Sequence, residues 1–559
     1  GACGTDGSPA ASPGTAANGG DGELASGPPP PPAEWPTFGY DLANSRYNRD
    51  EVVITPANVG TLAPAWELKD LKGVASTPSV VDGVVYFGAW DDKVHAVDAA
   101  TGEEKWATEM PDVVVTGVMS SVTVSGDAVY AAISGVLVKL SKDDGTLQWQ
   151  AQTSTHPIAI APGSPIVVGD LVFQGVASGE LMLNVSDYQF KGSMAAYDTA
   201  TGDERWKVEF TSDTPDQEGA GVGVWSTPSI DQARKLLFIG TGNTYEPPAS
   251  KLSDSIVAIR YETGEIAWNH QFTYPDVWST GNSGGVDGDV GAGPNLWESG
   301  GRALVGAGDK RGNYYALDRD TGEEVWQAAM TPGSLLGGVI GTSATGEGRI
   351  YVGSNIGDPD SNGPTGMTKL LALDAATGKE LWAVEMEGAI YSPVSTTPGL
   401  VYVATTAATM YVHDAATGKE LWKFQAPQQV GGGATVVNGT VYWGYGFSIF
   451  GGTPEGGLYA FRPSSSGSSS TAIAAGGGAG QPAPDAPGAK LFRTSCASCH
   501  GIRGQGGTGP DLRTIEDRLT FEQHLEVVTE GKGSQMPAFS KTLTPEEIRE
   551  IVEYERTHL

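Results

Sequence analysis

The sequence has few cysteines, few basic residues and no long apolar run. Only 3 of its 559 residues are cysteine, and two of these share one motif, so a structural disulfide framework is excluded. No apolar stretch approaches the roughly 20 residues of a membrane span. Lys and Arg number 34 against 66 Asp and Glu, and the net charge of −32 argues against binding to nucleic acid or anionic lipid. This acidic excess is typical of a solvated surface; a docking field for a basic partner is the alternative.

What the chain does contain is a repeated phrase. Asp374-Ala-Ala-Thr-Gly-Lys-Glu-Leu-Trp382 returns forty residues later at Asp414–Trp422, and looser copies end at Trp106, Trp149, Trp206, Trp268 and Trp326. An alternating apolar run precedes the phrase, Asp opens a turn, Gly supplies a position of positive φ, and the run resumes toward Trp. Each copy therefore predicts a β-hairpin with Trp on the outgoing strand.

Repeats of this length predict a radial arrangement of hairpins, because one hairpin cannot bury both of its faces. Seven copies are present, and two half-copies lie near the ends of the repeat region. Trp66 has no turn phrase before it, and Gly457-Leu-Tyr-Ala-Phe461 has none after it. If these halves pair, they close a ring without an open sheet edge. The prediction is an all-β eight-bladed propeller over residues 34–462.

The residues before the propeller have a different composition. Residues 1–33 are rich in Gly, Ser, Ala, Thr and Pro and cannot bury enough apolar area to fold. Gly1-Ala2-Cys3 resembles the processed end of a bacterial lipoprotein, with Cys3 as the lipidated residue; an isolated surface thiol is the alternative. We expect a disordered tether whose only membrane contact is a lipid anchor.

A second composition change follows the propeller. Residues 463–487 are again Ser, Gly, Ala and Pro, which predicts a flexible linker. Residues 488–559 turn helical and contain Cys496-Ala-Ser-Cys499-His500, the attachment signature of c-type haem. Zinc is the alternative, but it needs two further ligands at suitable spacing. His524 does not have that spacing and is expected to be an exposed helix residue.

The haem motif predicts an all-α cytochrome c domain. Cys496 and Cys499 would bind the porphyrin covalently, and His500 would ligate the iron. Met536, in Gln-Met-Pro-Ala-Phe, is the candidate for the second axial ligand, and a thioether there raises the reduction potential and favours electron transfer. Residues 488–559 resemble the class I cytochromes c along their whole length. Haem attachment of this type implies a periplasmic or other extracytoplasmic location, in agreement with the lipoprotein signal.

The propeller residues resemble the eight-bladed quinoprotein alcohol dehydrogenases, which hold pyrroloquinoline quinone (PQQ) and calcium at the propeller axis. The phrase Gly223-Val-Trp-Ser-Thr-Pro-Ser-Ile-Asp231 is followed by Phe238-Ile-Gly-Thr-Gly-Asn243. The resemblance implies that Trp225 is the floor on which the quinone stacks and that Asn243 ligates calcium. By the same resemblance, Glu180 is a second calcium ligand. Taken singly, these would more often be a core Trp, a turn Asn and a solvated Glu.

The resemblance also implies catalytic residues. Val286-Asp-Gly-Asp-Val-Gly-Ala-Gly-Pro294 resembles the segment with the catalytic base, for which Asp289 is chosen and Asp287 is the fallback; Asp289 would also contact calcium. Lys310 matches the basic residue that contacts the quinone oxygens. A structural cation or no ligand is the alternative for the two aspartates. These residue types suit the chemistry, because calcium prefers oxygen ligands and a carboxylate can accept the alcohol proton.

Two departures from the family bear on the substrate. Many members carry adjacent cysteines above the quinone, but here the region reads Val118-Met-Ser-Ser-Val122, and a first-blade Glu is replaced by the small residues of Lys72–Pro78. The sequence resembles the polyvinyl-alcohol-dehydrogenase-like branch more closely. We expect PQQ- and calcium-dependent oxidation of an alcohol. The resemblance to this branch further suggests that the alcohol is a secondary or polymeric one. Electrons would pass through the haem to an external acceptor: a cytochrome, a copper protein or a respiratory chain. The rival is a non-catalytic scaffold propeller fused to an electron carrier.

Overall fold

The computed structural model describes the chain from Glu34 to Leu559 with several gaps. The described residues are 34–111, 117–183, 185, 187–212, 217–282, 287–359, 363–448, 451–464, 487–496, 500, 504, 509–532, 536, 538–541 and 543–559. The predicted tether 1–33, with Cys3, lies outside them, as does nearly all of the predicted linker. Those two segments therefore stay predictions.

In the described residues, eight antiparallel sheets form the blades of a propeller, as predicted. In six blades, sequence order is also spatial order, from the axis outward; in blade three β10 and β11 both pair with β12, and in blade eight β1 is added as the outer strand. The strands are, in blade one, β2–β5 (Ser79–Val81, Val84–Gly88, Lys93–Asp98, Glu104–Glu109); in blade two, β6–β9 (Thr123–Ser125, Ala128–Ile133, Val136–Ser141, Leu147–Gln152); in blade three, β10–β14 (Ala159–Ile160, Ile166–Val168, Leu171–Ser178, Ser193–Asp198, Glu204–Glu209); in blade four, β15–β18 (Ser229–Asp231, Leu236–Gly240, Ser255–Arg260, Ile266–Gln271); in blade five, β19–β22 (Asn295–Ser299, Arg302–Gly308, Asn313–Asp318, Glu324–Ala329); in blade six, β23–β26 (Ala344–Gly346, Arg349–Asp358, Gly363–Asp374, Glu380–Glu387); in blade seven, β27–β30 (Ser395–Thr397, Leu400–Thr405, Thr409–Asp414, Glu420–Gln425); and in blade eight, β31–β33 and β1 (Thr435–Val437, Thr440–Ser448, Gly451–Pro463, Leu62–Leu68).

The two half-copies of the repeat close the ring. Strand β1 pairs with β33 in antiparallel register, with Trp66 opposite Ala460 and Leu68 opposite Leu458. The outer strand of the last blade thus comes from the start of the propeller, and this pairing closes the ring. Strand β33 ends at Pro463, one residue beyond the predicted propeller boundary.

The repeated phrase is a contact between neighbouring blades. In blade seven, Asp414 Oδ1 accepts hydrogen bonds from the backbone N–H of Ala416 and Thr417 and so shapes the turn. Gly418 has φ +74°, and a Cβ there would lie 2.6 Å from the ring of Trp382, which belongs to the preceding blade. The same ring donates from Nε1 to Ala415 O at 3.1 Å. Each Trp therefore packs against the next turn, which explains why Asp, Gly and Trp recur together.

Residues preceding β1 cross one end of the central channel. Trp35 bridges to Val80 in blade one, and Tyr47 bridges to Thr396 in blade seven. Between them, Arg46 is fully buried and donates to Val394 O at 2.7 Å, to Ser395 Oγ at 2.9 Å and to Phe38 O. This segment ties blade one to blade seven, the two neighbours of blade eight.

The C-terminal domain is helical, as predicted. Its helices are α1 (Ala489–Ser495), α2 (Ile515–Arg518), α3 (Phe521–Glu530) and α4 (Pro545–His558), and it has one short 3-10 turn, Phe539–Lys541, among the described residues. Two further 3-10 turns, Val59–Thr61 and Gly179–Met182, belong to the propeller. Helix α4 begins at the predicted cap, where Thr544 and Glu547 form a capping box. Helix α1 lies against strand β25 of blade six. Among the described helices, none is long and apolar enough to cross a membrane.

One prediction about this domain is wrong. His524 is buried, not exposed, and its Nε2 lies 2.8 Å from Glu555 Oε2, which is also buried. The partner is on α4, so the spacing within α3 gives no sign of it. This side-chain contact joins the last two helices in the domain interior.

Candidate active site

Trp225 lies at the wall of a cavity of about 430 Å³ on the propeller axis. Gly291 supports its indole, because a Cβ at position 291 would lie 1.8 Å from Trp225 Cη2. Backbone therefore occupies the space where a side chain would displace the ring. The cavity volume is within the range of about 300–1,000 Å³ usual for small-molecule sites.

Three further predicted residues meet Trp225 at this cavity. Lys310 Nζ lies 2.6 Å from Asp289 Oδ2 and 5.6 Å from the centroid of the Trp225 ring. Asn243 donates its backbone N–H to Asp289 Oδ1 at 2.6 Å. All four residues line the cavity. The structure therefore brings together an indole, a carboxylate, an ammonium and an amide from positions up to 85 residues apart in the sequence.

Asp287 lies behind this group. Lys310 Nζ is 2.9 Å from its Oδ1, but Asp287 is buried and does not line the cavity. Burial raises the pKa of Asp287 to about 8, although Lys310 acts in the opposite direction. Burial lowers the pKa of Lys310, but Asp287 and Asp289 outweigh this and hold that pKa above its ordinary value. Of the two candidate bases, Asp289 is the one that faces the cavity.

Two aspartates that the sequence did not indicate extend this group. Asp276 accepts hydrogen bonds from the backbone N–H of Asp287 and of Gly288, and so holds the loop that carries Asp289. Asp254 is fully buried, and neither of its carboxylate oxygens has a hydrogen-bond partner. Burial, with Asp276 and Asp289 nearby, raises the pKa of Asp254 well above its usual range. We call Asp254, Asp276, Asp287 and Asp289 the acidic cluster.

The acidic cluster has four carboxyl groups and contacts one ammonium, that of Lys310. Buried charge must be balanced by protons or by cations, because an uncompensated carboxylate in the interior is costly. The side-chain N–H groups of Asn243 donate to Trp278 O at 2.6 Å and Thr244 O at 2.8 Å, so its Oδ1 is the atom available as a ligand. Asp289 and Asn243 therefore fit a hard divalent cation.

Glu180 does not join them at the cavity wall. It lies in the 3-10 turn Gly179–Met182, and its carboxylate accepts from Phe190 N at 2.8 Å, Gln189 N at 3.1 Å and His156 Nε2 at 3.2 Å. To reach a cation beside Asp289, it would have to exchange these bonds. Among the described side chains, no three His, Cys, Asp or Glu residues are gathered as a metal site. The sequence analysis did not identify His156, which contacts the carboxylate of Glu180.

Four hydroxyl groups surround the cavity. The side-chain oxygens of Ser121, Ser164, Thr227 and Thr342 each accept a backbone N–H at 2.8–3.0 Å. No acceptor in the described part of the chain takes their hydroxyl protons, which remain available to a ligand. We call these four residues the hydroxyl crown. Each precedes the start of a strand by two residues, a register that the repeat itself could have revealed.

The hydroxyl crown, Lys310 and Trp225 fit a flat quinone that carries carboxylates. Hydroxyl and ammonium groups donate to carboxylate oxygens, and an indole face accepts a planar ring. These groups argue against a scaffold that binds no ligand. Without a ligand, the four hydroxyl protons at the axis would have no acceptor in the described part of the chain, which is unfavourable for buried polar groups.

The described part of the haem motif is arranged for axial ligation. Cys496 is buried at the end of α1, and His500 follows it, with Nδ1 2.8 Å from Pro510 O. When Nδ1 donates to that carbonyl, Nε2 is left to ligate iron, and the hydrogen bond fixes the ring orientation. Cys499 lies outside the described residues. Met536 is partly buried against the apolar cluster of Val528, Ile548 and Val552.

Fold and site together define an oxidoreductase propeller joined to a cytochrome c domain. Residues 35–135 and 132–334, more than half of the chain, match the family model "Glucose/ethanol/alcohol dehydrogenase, beta-propeller domain". The chain belongs to this PQQ-dependent alcohol dehydrogenase propeller family. Residues 310–476 match "Outer membrane protein assembly factor BamB", and residues 483–554 match "Cytochrome C oxidase, cbb3-type, subunit III".

Individual relatives agree with this assignment. The chain is 26% identical to a polyvinylalcohol dehydrogenase of Pseudomonas sp over 69% of its length and 67% of the relative's. It is also 26% identical to quinohemoprotein alcohol dehydrogenase ADH IIB of Pseudomonas putida, over 93% of this chain and 92% of that one. The crystal structure of quinohemoprotein alcohol dehydrogenase from Comamonas testosteroni has the same fold, with a TM-score of 0.68 at 22% identity, over 94% and 95% of the two chains.

Proposed function

We propose that the protein oxidises an alcohol to a carbonyl compound with bound PQQ and calcium, and passes the electrons through its haem to an external acceptor. The observation that carries the proposal is the convergence of Trp225, Asp289 and Lys310 on one cavity. When bound, PQQ would supply the hydride acceptor for the alcohol carbon, and calcium would supply Lewis acidity. Asn243, Asp289 and, after reorientation, Glu180 would hold the calcium.

The chain's own residues have separate tasks. Trp225 would orient the ring of the cofactor, and the hydroxyl crown would hold its carboxylates. Asp289 would accept the hydroxyl proton of the alcohol at a carboxylate oxygen. Lys310, whose side chain is buried, would stabilise negative charge on the reduced cofactor. Helix α1 against β25 places the cytochrome domain on the propeller, and His500 and Met536 would set up the iron for one-electron transfer.

The finer expectations rest on sequence. We propose a secondary or polymeric alcohol as the substrate. We also propose a cytochrome, a copper protein or a respiratory chain as the electron acceptor, and a lipid-anchored extracytoplasmic location. The alternative is a scaffold propeller, which the match of residues 310–476 to an assembly factor favours. A scaffold would show no electron transfer from alcohol to haem.

The test is haem reduction in the full chain. Adding PQQ, calcium and an alcohol should reduce the haem, observed by absorbance, and omission of any one of them should prevent it. An unchanged haem spectrum with all three present favours the scaffold. Asp289→Asn should bind PQQ yet slow haem reduction about 10²- to 10⁴-fold, the usual worth of a positioned base. Asp287→Asn is the matched control. If it loses as much as Asp289→Asn, Asp289 is not the base.

A further inference from the structure

A second, smaller cavity lies between the segment that precedes β1 and the inner strands of blades five and six. Its volume is about 80 Å³. Arg49, from the segment before β1, and Arg349, the first residue of β24, both line it. Among the described residues, it shares none with the cavity that contains Trp225. We call this small cavity the arginine pocket.

The two guanidinium groups of the arginine pocket lack acceptors. Nε of Arg49 and Nε of Arg349 are buried, and within the described ranges neither has a hydrogen-bond partner. The Nη1 group of Arg349 makes one long contact, to Glu347 O at 3.4 Å. A buried donor without a partner is unfavourable, and more so when it belongs to a charged group. The two Nε–H groups therefore require an acceptor from outside the described chain.

The acidic residues around the pocket are engaged by other groups. Asp41 accepts hydrogen bonds from the backbone N–H of Ser45 at 3.0 Å and from its Oγ at 2.7 Å. Glu298, which lines the pocket, has its Oε1 3.4 Å from Nη1 of the buried Arg319. No carboxylate of the described residues forms an ion pair with Arg49 or with the second pocket arginine. This is unusual in a chain with a net charge of −32, where acidic partners are abundant.

Backbone hydrogen bonds fix the walls of the pocket. Ala43 O accepts from Leu296 N of blade five at 2.9 Å, and Ser45 O accepts from Thr345 N of blade six at 2.8 Å. Strands β23 and β24 are joined by a two-residue turn, and Arg349 follows this turn directly. The two arginines are thus attached to parts of the fold that are themselves joined, and the pocket is preformed.

We infer that the arginine pocket binds a small oxoanion of the phosphate or sulfate type, which bridges Arg49 and Arg349. A guanidinium group is planar and donates parallel N–H bonds to the oxygens of such an ion. One water needs about 10–15 Å³ of such a cavity, so the pocket has room for an ion of this size and not for a nucleotide. The bound ion joins the segment before β1 to blade six and stabilises that end of the channel. This site is independent of the alcohol oxidation proposed above.

The first experiment titrates the full chain with inorganic phosphate in a calorimeter, without added PQQ or calcium and at constant ionic strength. We expect saturable binding with a Kd of about 1 mM or lower, the affinity that a few charge-assisted hydrogen bonds provide. Arg49→Gln and Arg349→Gln should each raise the Kd about tenfold or more. Arg302→Gln is the matched control, since Arg302 is exposed on β20 and does not line the pocket. Absence of saturable binding, or an equal Kd in the parent and both pocket variants, overturns the inference.

Two further titrations identify the site and the form of the ligand. Lys310 is the cation of the cavity that contains Trp225, and Lys310→Met should leave the Kd for phosphate unchanged. If Lys310→Met abolishes binding and Arg349→Gln does not, phosphate binds at the propeller axis and the inference is wrong. Glycerol 3-phosphate should bind more weakly than inorganic phosphate, because the pocket is small. Equal binding would retain the site and assign its ligand to a phosphate ester.

The second experiment locates the ion without any variant. Phosphate should slow the modification of Arg49 and Arg349 by phenylglyoxal, followed by peptide mass spectrometry. Sodium chloride at the same ionic strength should not slow it. Arg302 is the internal reference and should react at the same rate in both salts. Equal modification of the two pocket arginines with and without phosphate refutes the site.

Discussion

Replacing Lys310 with methionine removes the ammonium that contacts both Asp287 and Asp289. The distances are 2.9 and 2.6 Å, and all three side chains are buried. Methionine keeps the length of the side chain and removes its charge, so packing against Trp225 should be retained. Removal of one partner from a buried ion pair costs about 3–5 kcal/mol, because the remaining charge has no compensation.

That cost corresponds to roughly a 150- to 5,000-fold shift in the unfolding equilibrium. Urea unfolding followed by tryptophan fluorescence should show it as a lower midpoint with an unchanged slope. Haem absorbance, recorded in parallel, reports on the cytochrome domain and should be unaffected. Calcium should restore more stability to Lys310→Met than to the parent chain, since the acidic cluster then has a greater need of a cation.

Lys235→Met is the matched control. Lys235 contacts Glu262 at 2.8 Å, a distance close to those of Lys310, but both side chains are exposed. Water solvates such a pair, and its loss should change the midpoint little. The reasoning fails if both variants unfold at the same urea concentration, because burial of the acidic cluster would then contribute nothing.

Two further predictions concern other parts of the chain. Met536→Ala should lower the reduction potential of the haem in a redox titration, because a thioether ligand raises it; an unchanged potential would exclude Met536 as the ligand. Burial lowers the pKa of His413, whose Nδ1 lies 2.9 Å from Gly418 O, so the unfolded chain binds more protons near its usual pKa of about 6.5. The free energy of unfolding should therefore decrease as pH falls below about 6.5, and His413→Gln should remove part of that decrease. Parallel pH profiles for the two proteins would contradict the assignment.

The haem ligands and the propeller could be predicted because their information is local. Two thiols and an imidazole within five residues define the attachment motif, and each blade repeats its own turn and Trp. The position of Asp289 was predictable for a weaker reason, its resemblance to a known segment. The sequence could not decide between Asp287 and Asp289 as the base. The two carboxylates are two residues apart, and only the conformation of the loop determines which one faces the cavity.

The amino-acid sequence by itself determined the number of blades and the way the ring closes, because seven hairpins each carry the turn Gly and the Trp within nine residues and two half-copies remain to pair. Tertiary structure alone decided the surroundings of the site. Asp254 and Asp276 acquire a role only when the fold brings them beside the loop that carries Asp287 and Asp289. Glu180 is turned toward Phe190 and His156. His524 is buried for the same reason, since Glu555 on another helix meets it. Such contacts join residues from separate elements, and their energies depend on burial, which no single stretch of sequence contains.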